Sequence, residues 1–379
     1  MAILNEPQLI NLLKNSKNVL LLEPPYIRRY IPLGLAKISA FIKNNGGQTV
    51  YARKGIAGKF DLICMATCFS SDSAIVIREI KYCQRSLFLS NTPIIVGGIF
   101  ASLMPDYIIK ETGVDVFVGC SDILDSYLPD YSIDYGIKSF FGDVMTLFTT
   151  RGCPNKCGYC MVWRLEKEHK IILSWRRNIE EIDRENCVVS DNNILSFPLI
   201  HIKNVIKCLN DNGKKVLFNN GVDCRLIDTE NAKLLASLRY VRNGFRTAFD
   251  RMEDDGHYQI AMEKVITAGL RVKGNSYTYV LFNFNDTPQE AYYRAKECWK
   301  YGSNPYLMRY RPLDQLKKGL YIGKYWTKNL ISAFSNYGQN FGYNRGDGTF
   351  ENWIKGYDAK GDYKIKLTDE DWEKWGYKR

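Results

Sequence analysis

Short apolar segments alternate with segments of helical periodicity from residue 19 to residue 310, and this alternation restricts the chain to few folds. Most of the apolar segments in the first third of the chain end at glycine, proline or a polar residue, as buried strands do. Short buried strands that alternate with helices form parallel sheets, because a parallel connection requires a crossover. We therefore predict an α/β protein that begins with a doubly wound parallel sheet. The predicted strands of that sheet are 19–22, 49–52, 61–66, 93–98 and 114–119.

Three cysteines lie close together after residue 150, in the spacing Cys-x3-Cys-x2-Cys: Cys153, Cys157 and Cys160. Each iron of a [4Fe–4S] cluster needs a terminal ligand, normally a thiolate, so three cysteines leave the fourth iron open for chemistry. Glycine and proline lie beside and between them, as a tight loop around an inorganic cluster requires. A zinc site would need a fourth ligand, and no second cysteine pair lies nearby. Chance clustering of buried thiols is the remaining alternative.

The motif resembles the cluster loop of the radical S-adenosylmethionine (radical SAM) superfamily, including an aromatic residue, Tyr159, before the last cysteine. The resemblance implies that Cys153, Cys157 and Cys160 hold a [4Fe–4S] cluster whose open iron binds the amino and carboxylate groups of SAM. It also implies reductive cleavage of SAM to a 5′-deoxyadenosyl radical, with the electron supplied by a flavodoxin- or ferredoxin-type donor. Six further predicted strand–helix units, within residues 141–315, are similar to the partial (β/α)6 barrel of that family.

In parallel barrels the chemistry lies at the carboxyl ends of the strands, where this chain carries many polar residues. The resemblance implies that Asp191 and Asn193 contact the SAM amino group, that Arg225 faces its carboxylate and that Asp250 meets its ribose. Tyr159 would pack near the adenine, because an aromatic ring suits that face. Three further residues at strand ends are candidates for substrate binding or for ordinary loop hydrogen bonds: Asp223, Arg309 and Arg311.

The first domain resembles the Rossmann-like, cobalamin-binding-type domain that precedes many radical SAM barrels. Three segments carry this likeness: 31–36, 96–101 and 124–130. In that family small residues after the third and fourth strands leave room for the nucleotide tail of cobalamin. The corresponding residues here are Thr67, Ser70, Gly97 and Gly98. The domain has no histidine to bind cobalt, and residues 119–122 depart from the family's acidic turn, so a cobalamin site and a lid without ligand both stay open.

The net charge of +11 is concentrated after residue 150. Residues 1–150 carry 14 Lys and Arg against 13 Asp and Glu, whereas residues 151–379 carry 38 against 28, a difference of +10. This excess suits an anionic substrate, either a small molecule or one related to nucleic acid, and general surface basicity explains it equally well. The region after residue 315 is rich in aromatic residues and lysine, which form either a small capping region or a surface for single-stranded nucleic acid.

Together these features predict three regions: a cobalamin-binding-type domain in 1–140, a radical SAM barrel in 141–315 and a capping or substrate-binding region in 316–379. The predicted reaction is hydrogen abstraction from an unactivated carbon, followed by methyl transfer if cobalamin is bound. The alternatives are a methylthio- or sulfur-inserting enzyme acting on RNA, a cobalamin-free radical isomerase or dehydrogenase, and a non-catalytic iron–sulfur sensor that binds nucleic acid. No apolar run reaches the roughly 18 residues of a membrane span, and we expect a cytoplasmic protein.

Overall fold

The computed structural model describes residues 2–27, 30–340 and 367–376. The chain divides into two compact units, and each is described by itself below. The first unit contains Met1–Arg184 and Pro312–Lys318, and the second contains Glu185–Arg311 and Gly319–Arg379. The segment Pro312–Lys318, called the strap below, therefore packs with the first unit although it follows most of the second in sequence. The domain boundaries predicted after residues 140 and 315 rest on resemblance rather than compactness and stay predictions.

A parallel sheet forms the centre of the first unit. Its strands are β1 Ile3–Leu4, β2 Asn18–Leu22, β3 Gln48–Ala52, β4 Leu62–Thr67, β5 Ile94–Gly98 and β6 Asp115–Phe117. They lie in the order β1-β6-β5-β4-β2-β3, and every pair is parallel. The helices of this part are α1 Glu6–Asn15, α2 Leu33–Asn44, α3 Ser73–Arg85, α4 Ile99–Leu103, α5 Pro105–Thr112 and α6 Asp122–Asp125.

Helices cover both faces of this sheet, so its strands are apolar without alternation. Leu20 and Ile63 pack in one buried cluster with side chains of α3, whereas Leu21 and Cys64 pack in another with side chains of α1 and α2. Each fully buried aliphatic side chain stabilises the fold by about 1.5–3 kcal/mol. Burial on both faces is the physical reason that the predicted strands appear in the sequence as continuous apolar runs.

The first strand and helix were not predicted from the sequence. Helix α1 begins at a capping box, in which Asn5 accepts a hydrogen bond from the backbone N–H of Gln8 and the Gln8 side chain accepts one from the N–H of Asn5. Strand β1 contains only two residues and pairs with β6, with Ile3 opposite Val116. A two-residue strand carries no periodicity, and only the distant partner reveals it.

The remainder of the first unit is a set of short elements around the cysteine motif. These are β7 Met145–Leu147, β8 Thr150–Arg151, α7 Val162–Leu165, β9 Lys170–Ile171 and α8 Trp175–Glu181. Strands β8 and β9 are antiparallel, with Arg151 opposite Lys170. The residues between them, 152–169, are called the cysteine loop below.

Parallel strands also form the second unit: β10 Asn186–Val189, β11 Lys215–Phe218, β12 Arg239–Tyr240, β13 Phe245–Ala248, β14 Ser276–Phe282 and β15 Asn304–Arg309. Strands β10, β11 and β12 are adjacent, as are β13, β14 and β15, and all these pairs are parallel. A parallel bridge between Val222 and Thr247 and a bond from the Phe218 N–H to the Gly244 carbonyl join the two groups. The helices are α9 Leu199–Asp211, α10 Thr229–Ala236, α11 His257–Thr267, α12 Pro288–Lys300, α13 Lys328–Asn340 and α14 Asp369–Trp375.

The predicted α/β class with parallel sheets is confirmed. Helix α10 is capped by Asp228, whose carboxylate accepts from the backbone N–H of Asn231 at 2.7 Å. An aspartate at this position also interacts favourably with the helix dipole. In the described part of the chain, no helix is long and apolar enough to cross a membrane.

The described aromatic residues after residue 320 are mainly core residues. Trp326, Phe334, Tyr337, Trp372 and Trp375 are buried in one cluster with side chains of β14 and α12. Such buried rings cannot stack on bases, so among the described residues the capping interpretation is favoured over the nucleic-acid surface. The aromatic residues between 341 and 366 lie outside the described residues.

Candidate functional site

The cysteine loop is closed at its base by strands β8 and β9, and the three motif cysteines lie within it. The backbone N–H of Cys160 donates to the carbonyl of Cys157 at 3.0 Å, which forms a tight turn between the second and third cysteines. All three cysteines are partly exposed and none is in a disulfide. Tyr159, predicted to lie near the SAM adenine, is in the same turn and partly exposed.

Gly152, the first residue of the loop, can be replaced by no other residue without strain. Its φ angle is +80°, in the left-handed region that favours glycine, and a Cβ atom there would lie 2.2 Å from the Glu168 carbonyl oxygen. The two ends of the loop therefore approach each other through backbone atoms. The close approach explains why glycine directly precedes the first cysteine.

The motif cysteines differ from most other cysteines in their exposure. Cys64, Cys83, Cys187, Cys208, Cys224 and Cys298 are buried. Burial raises the pKa of Cys64 and of Cys298 to about 12, so these thiols stay protonated and act as small apolar side chains. The cysteines that are not buried are therefore the three of the cysteine loop and two others, Cys68 and Cys120.

Four charged side chains form a connected network at the base of the cysteine loop, called the Arg151 network below: Lys37, Asp125, Arg151 and Glu166. The Asp125 carboxylate accepts from the Lys37 ammonium at 2.6 Å and from two nitrogens of the Arg151 guanidinium at 2.9 and 3.0 Å. The same guanidinium donates to Glu166 at 3.0 Å and lies over the Phe148 ring at 4.0 Å. The other oxygen of Glu166 accepts from the Gly152 N–H at 2.7 Å.

The network holds its charges in a defined state. Burial acts to raise the pKa of Asp125, but Lys37 and Arg151 outweigh this effect and keep that pKa below its usual range. The side chains of all four members are at most 12% exposed, so water screens their interactions weakly. The Asp125 carboxylate therefore stays ionised near neutral pH, and its contacts tie the loop to helices α2 and α6.

The donor set of the loop fits an iron–sulfur cluster better than a single metal ion. Among the described residues, no three His, Cys, Asp or Glu side chains converge as the ligands of one ion would. A cluster does not need this convergence, because each thiolate binds a different iron. Three partly exposed thiols, one for each of three irons, suit a cluster with one open iron.

In the second unit, polar residues after β10 and β11 contact one another. The Asn193 amide donates to Asp223 at 3.1 Å, and the Arg225 guanidinium donates to both oxygens of the same carboxylate at 2.8 and 2.7 Å. Arg225 also lies 3.9 Å from a carboxylate oxygen of Asp254. The Arg225 side chain is 30% exposed, so this cation can still bind an anionic group from solution.

Asp250 lies two residues after the end of β13, in an environment that disfavours its charge. One carboxylate oxygen accepts from the Leu281 N–H at 3.0 Å. Burial raises its pKa to about 6, although the buried Arg294 guanidinium opposes the shift. Arg294 in turn donates to the carbonyls of Phe249 and Leu281 at 3.0 and 2.8 Å and fixes the ends of β13 and β14. Asp250 can therefore act as hydrogen-bond donor or acceptor near pH 6.

The other predicted SAM and substrate residues occupy varied environments. Asp191 lies two residues after the end of β10, in the segment that carries Asn193, and it is buried. Arg309 ends β15 and donates to the Tyr321 carbonyl at 3.4 Å, whereas Arg311 is exposed. Burial lowers the pKa of Arg309, with Arg311 adding to this effect. These residues share a position at or just after the ends of strands.

Three of the four predicted cobalamin residues are engaged inside the first unit. The Thr67 hydroxyl donates to the Gly97 carbonyl at 2.8 Å and accepts from the Ala101 N–H at 3.0 Å. A Cβ atom on Gly98, whose φ is +103°, would lie 2.2 Å from the Thr67 carbonyl oxygen, so the fold itself requires this glycine. Of the two glycines in this set, Gly97 has open space beside its Cα atom.

Ser70 contacts the strap rather than open space. Its hydroxyl lies 2.5 and 2.9 Å from the carbonyls of Leu313 and Gln315, and Lys318 pairs with Asp72 at 2.8 Å. The strand order changes direction between β2 and β4, and open α/β sheets bind ligands at such positions. Ser70 follows β4, so the strap lies beside this position. Cobalamin binding stays a prediction.

Sequence reasoning missed the residues that support the predicted site. Asp125 and Lys37 are 88 positions apart, and no sequence pattern indicates that they pair. Asp254, which is 6% exposed and bonds Arg251 at 3.0 Å, was also not predicted. The only sequence signal for the Arg151 network is the arginine directly before the glycine of the motif.

No protein-family model matches this chain, and no curated protein matches it at a significant level.

Proposed function

We propose that this protein is a radical SAM enzyme that abstracts a hydrogen atom from an unactivated carbon of an anionic substrate. Cys153, Cys157 and Cys160 would hold a [4Fe–4S] cluster, and the chemistry that the bound cluster supplies is one-electron cleavage of SAM. The observation that carries this proposal is the cysteine loop: three partly exposed thiols behind a closed base, whereas six other cysteines are buried.

The strand ends of the second unit support the SAM-binding half of the proposal. The Arg225 guanidinium is held by Asp223 and stays partly exposed, which suits recognition of the SAM carboxylate. Asn193, bonded to the same carboxylate, and the neighbouring Asp191 are suited to the SAM amino group. The parallel strands β10 to β15, with polar ends, support a partial barrel that excludes water and orients the substrate.

The strand order β3-β2-β4-β5-β6 supports a doubly wound, Rossmann-like arrangement of the first domain. Cobalamin is not included in the proposed reaction, because Thr67, Ser70 and Gly98 already serve the fold. Sulfur insertion would need a second cluster and has less support, because most cysteines outside the loop are buried. The buried aromatic residues of α13 and α14 give a nucleic-acid sensor less support as well.

Anaerobic reconstitution with iron and sulfide tests the proposal. We expect about four irons per chain, an electron paramagnetic resonance signal after dithionite reduction, and 5′-deoxyadenosine when SAM is added. Cys157→Ala should lose the signal and the product. The matched control is Cys120→Ala, because Cys120 is a partly accessible cysteine of the same unit outside the motif, and it should keep both. Zinc in place of iron, or wild-type protein without 5′-deoxyadenosine, would refute the proposal.

A further inference from the structure

The Arg151 network connects both ends of the cysteine loop to the body of the first unit. Arg151 and the Gly152 N–H lie where the loop begins, and Glu166 lies just after helix α7 within the loop. Asp125 joins Arg151 to Lys37 of helix α2, and the Ser174 hydroxyl donates to the Asp125 carbonyl at 2.7 Å. The segment that carries the three cysteines is therefore bracketed by contacts that involve no metal.

This bracketing lowers the entropy that cluster binding must overcome. Fixing one residue of a flexible chain costs about 1–2 kcal/mol. In a loop held at Gly152 and Glu166, part of that cost is already met when the protein folds. The loop between these residues, which carries the three thiols, therefore has fewer accessible conformations before any iron binds.

The charges of the network balance. Lys37 and Arg151 carry two positive charges, and Asp125 and Glu166 carry two negative charges. Both carboxylates are at most 12% exposed, so removal of one charge is compensated weakly by water. Glu166 accepts a hydrogen bond from the Gly152 N–H, directly before Cys153. Its negative charge therefore acts on a cluster bound by Cys153.

We propose that Lys37, Asp125 and Glu166 are positioning residues that act through Arg151 and Gly152 to preform the cysteine loop and to set the reduction potential of its cluster. This inference rests on the proposed function. Reduction adds one electron to the cluster and is favoured by nearby positive charge. Loss of a negative charge must raise the potential, and loss of a positive charge must lower it.

Redox titration with dithionite, followed by electron paramagnetic resonance, tests the sign. Glu166→Gln should raise the potential, and Lys37→Met should lower it by less, because Lys37 acts through Asp125 and Arg151. The double variant should lie between the two single variants. A purely structural role would move both single variants in the same direction or in neither.

Lys170→Met is the matched control. Lys170 also pairs with two carboxylates, those of Asp122 and Glu168, at 2.6 and 2.5 Å, but these side chains are more exposed. Because solvent screens these charges, the reduction potential of the cluster in Lys170→Met should stay close to that of the wild type. A control shift as large as that of Glu166→Gln would overturn the specific role of the network.

Iron content and loop accessibility keep the inference testable if one variant folds poorly. In metal-free protein, proteolysis within the loop should be faster for Glu166→Gln than for Lys170→Met. If the wild-type protein binds iron, equal proteolysis rates for the two variants together with unchanged reduction potentials would refute the inference. Wild-type protein that binds no iron would instead refute the proposed function and the inference with it, so the two failures are distinguishable.

Discussion

The charged residues at the base of the cysteine loop and those at the strand ends of the second unit make opposite use of ionic contacts. In the Arg151 network, the Lys37 and Asp125 side chains are each 9% exposed and form an ion pair with each other. At the strand ends, Arg225 is bonded to Asp223 but stays 30% exposed. The first arrangement is suited to holding backbone in place, and the second is suited to exchanging part of its interactions for those of a ligand.

This difference gives a way to separate structural from functional charges. A buried pair that loses one partner leaves an uncompensated charge, and the penalty appears in folding stability. A partly exposed pair that loses one partner is solvated, and the loss appears in ligand binding instead. The following predictions test this contrast from the largest expected effect to the smallest.

Asp125→Asn should destabilise the first unit by about 3–5 kcal/mol, because Lys37 stays buried without its carboxylate and Arg151 keeps only Glu166. Urea unfolding measures the change. Asp122→Asn is the control, since its side chain is 61% exposed, and it should cost less than about 1 kcal/mol.

The contribution of Asp125 should also depend on pH. Its pKa is held below the usual range, so its stabilising effect is present above the ordinary aspartate pKa and is lost as pH falls through the lowered value. The wild type should lose stability on acidification more steeply than Asp125→Asn. Equal stabilities of variant and wild type at neutral pH would contradict the buried assignment.

Asp250→Asn should flatten the pH dependence of the second unit between about pH 4 and pH 6. The folded protein holds the Asp250 proton up to about pH 6, above the value in an unfolded chain, so the stabilisation is present at low pH and is lost as pH rises through this window. Across this window the free energy of unfolding of the wild type should fall by at most about 3 kcal/mol through Asp250. Urea midpoints at several pH values measure it.

The control for Asp250 is Glu253→Gln, because the Glu253 side chain is 74% exposed. This variant should keep the wild-type dependence on pH. If Asp250→Asn keeps it as well, Asp250 is ionised in the folded protein throughout this range and its role as a proton donor is excluded.

Arg225→Gln should weaken SAM binding about tenfold or more, because a charged hydrogen bond contributes about 1.5–3 kcal/mol, and should cost less stability than Asp125→Asn, because Arg225 is 30% exposed although Asp223 is only 12% exposed. Isothermal titration calorimetry on the reconstituted protein measures the affinity. Arg239→Gln, an exposed arginine of the same unit, should bind SAM like the wild type. A large loss of stability in Arg225→Gln would place Arg225 with the structural charges instead.

Ser70→Ala should have the smallest effect, about 1 kcal/mol in stability, through the lost contact with the strap. Because Ser70, Thr67 and Gly98 already serve the fold, we expect neither the variant nor the wild type to retain cobalamin. Elemental mass spectrometry for cobalt after anaerobic expression with cobalamin measures this. About one cobalt per wild-type chain would contradict the prediction and restore the cobalamin site.

Much of the local structure could be predicted from the sequence. Strands such as 19–22 and 61–66 were predicted within one or two residues of β2 and β4, because burial on both faces leaves a continuous apolar run. Strand β1, with two residues, could not be predicted, because its identity depends on β6, more than a hundred residues away. The cap of α10 could not be decided from the sequence either, since aspartate and threonine at 228 and 229 are both good caps.

The candidate site divides in the same way. The sequence by itself determined the cysteine spacing, the glycine that precedes it and the polar residues at strand ends, because these depend on neighbours along the chain. Only the tertiary structure decided that Asp125 bridges Lys37 and Arg151, that Asp223 joins Asn193 to Arg225, and that Ser70 meets the strap. The physical reason is that a charge or a hydroxyl in a sequence has no fixed partner, whereas burial in a folded chain requires one.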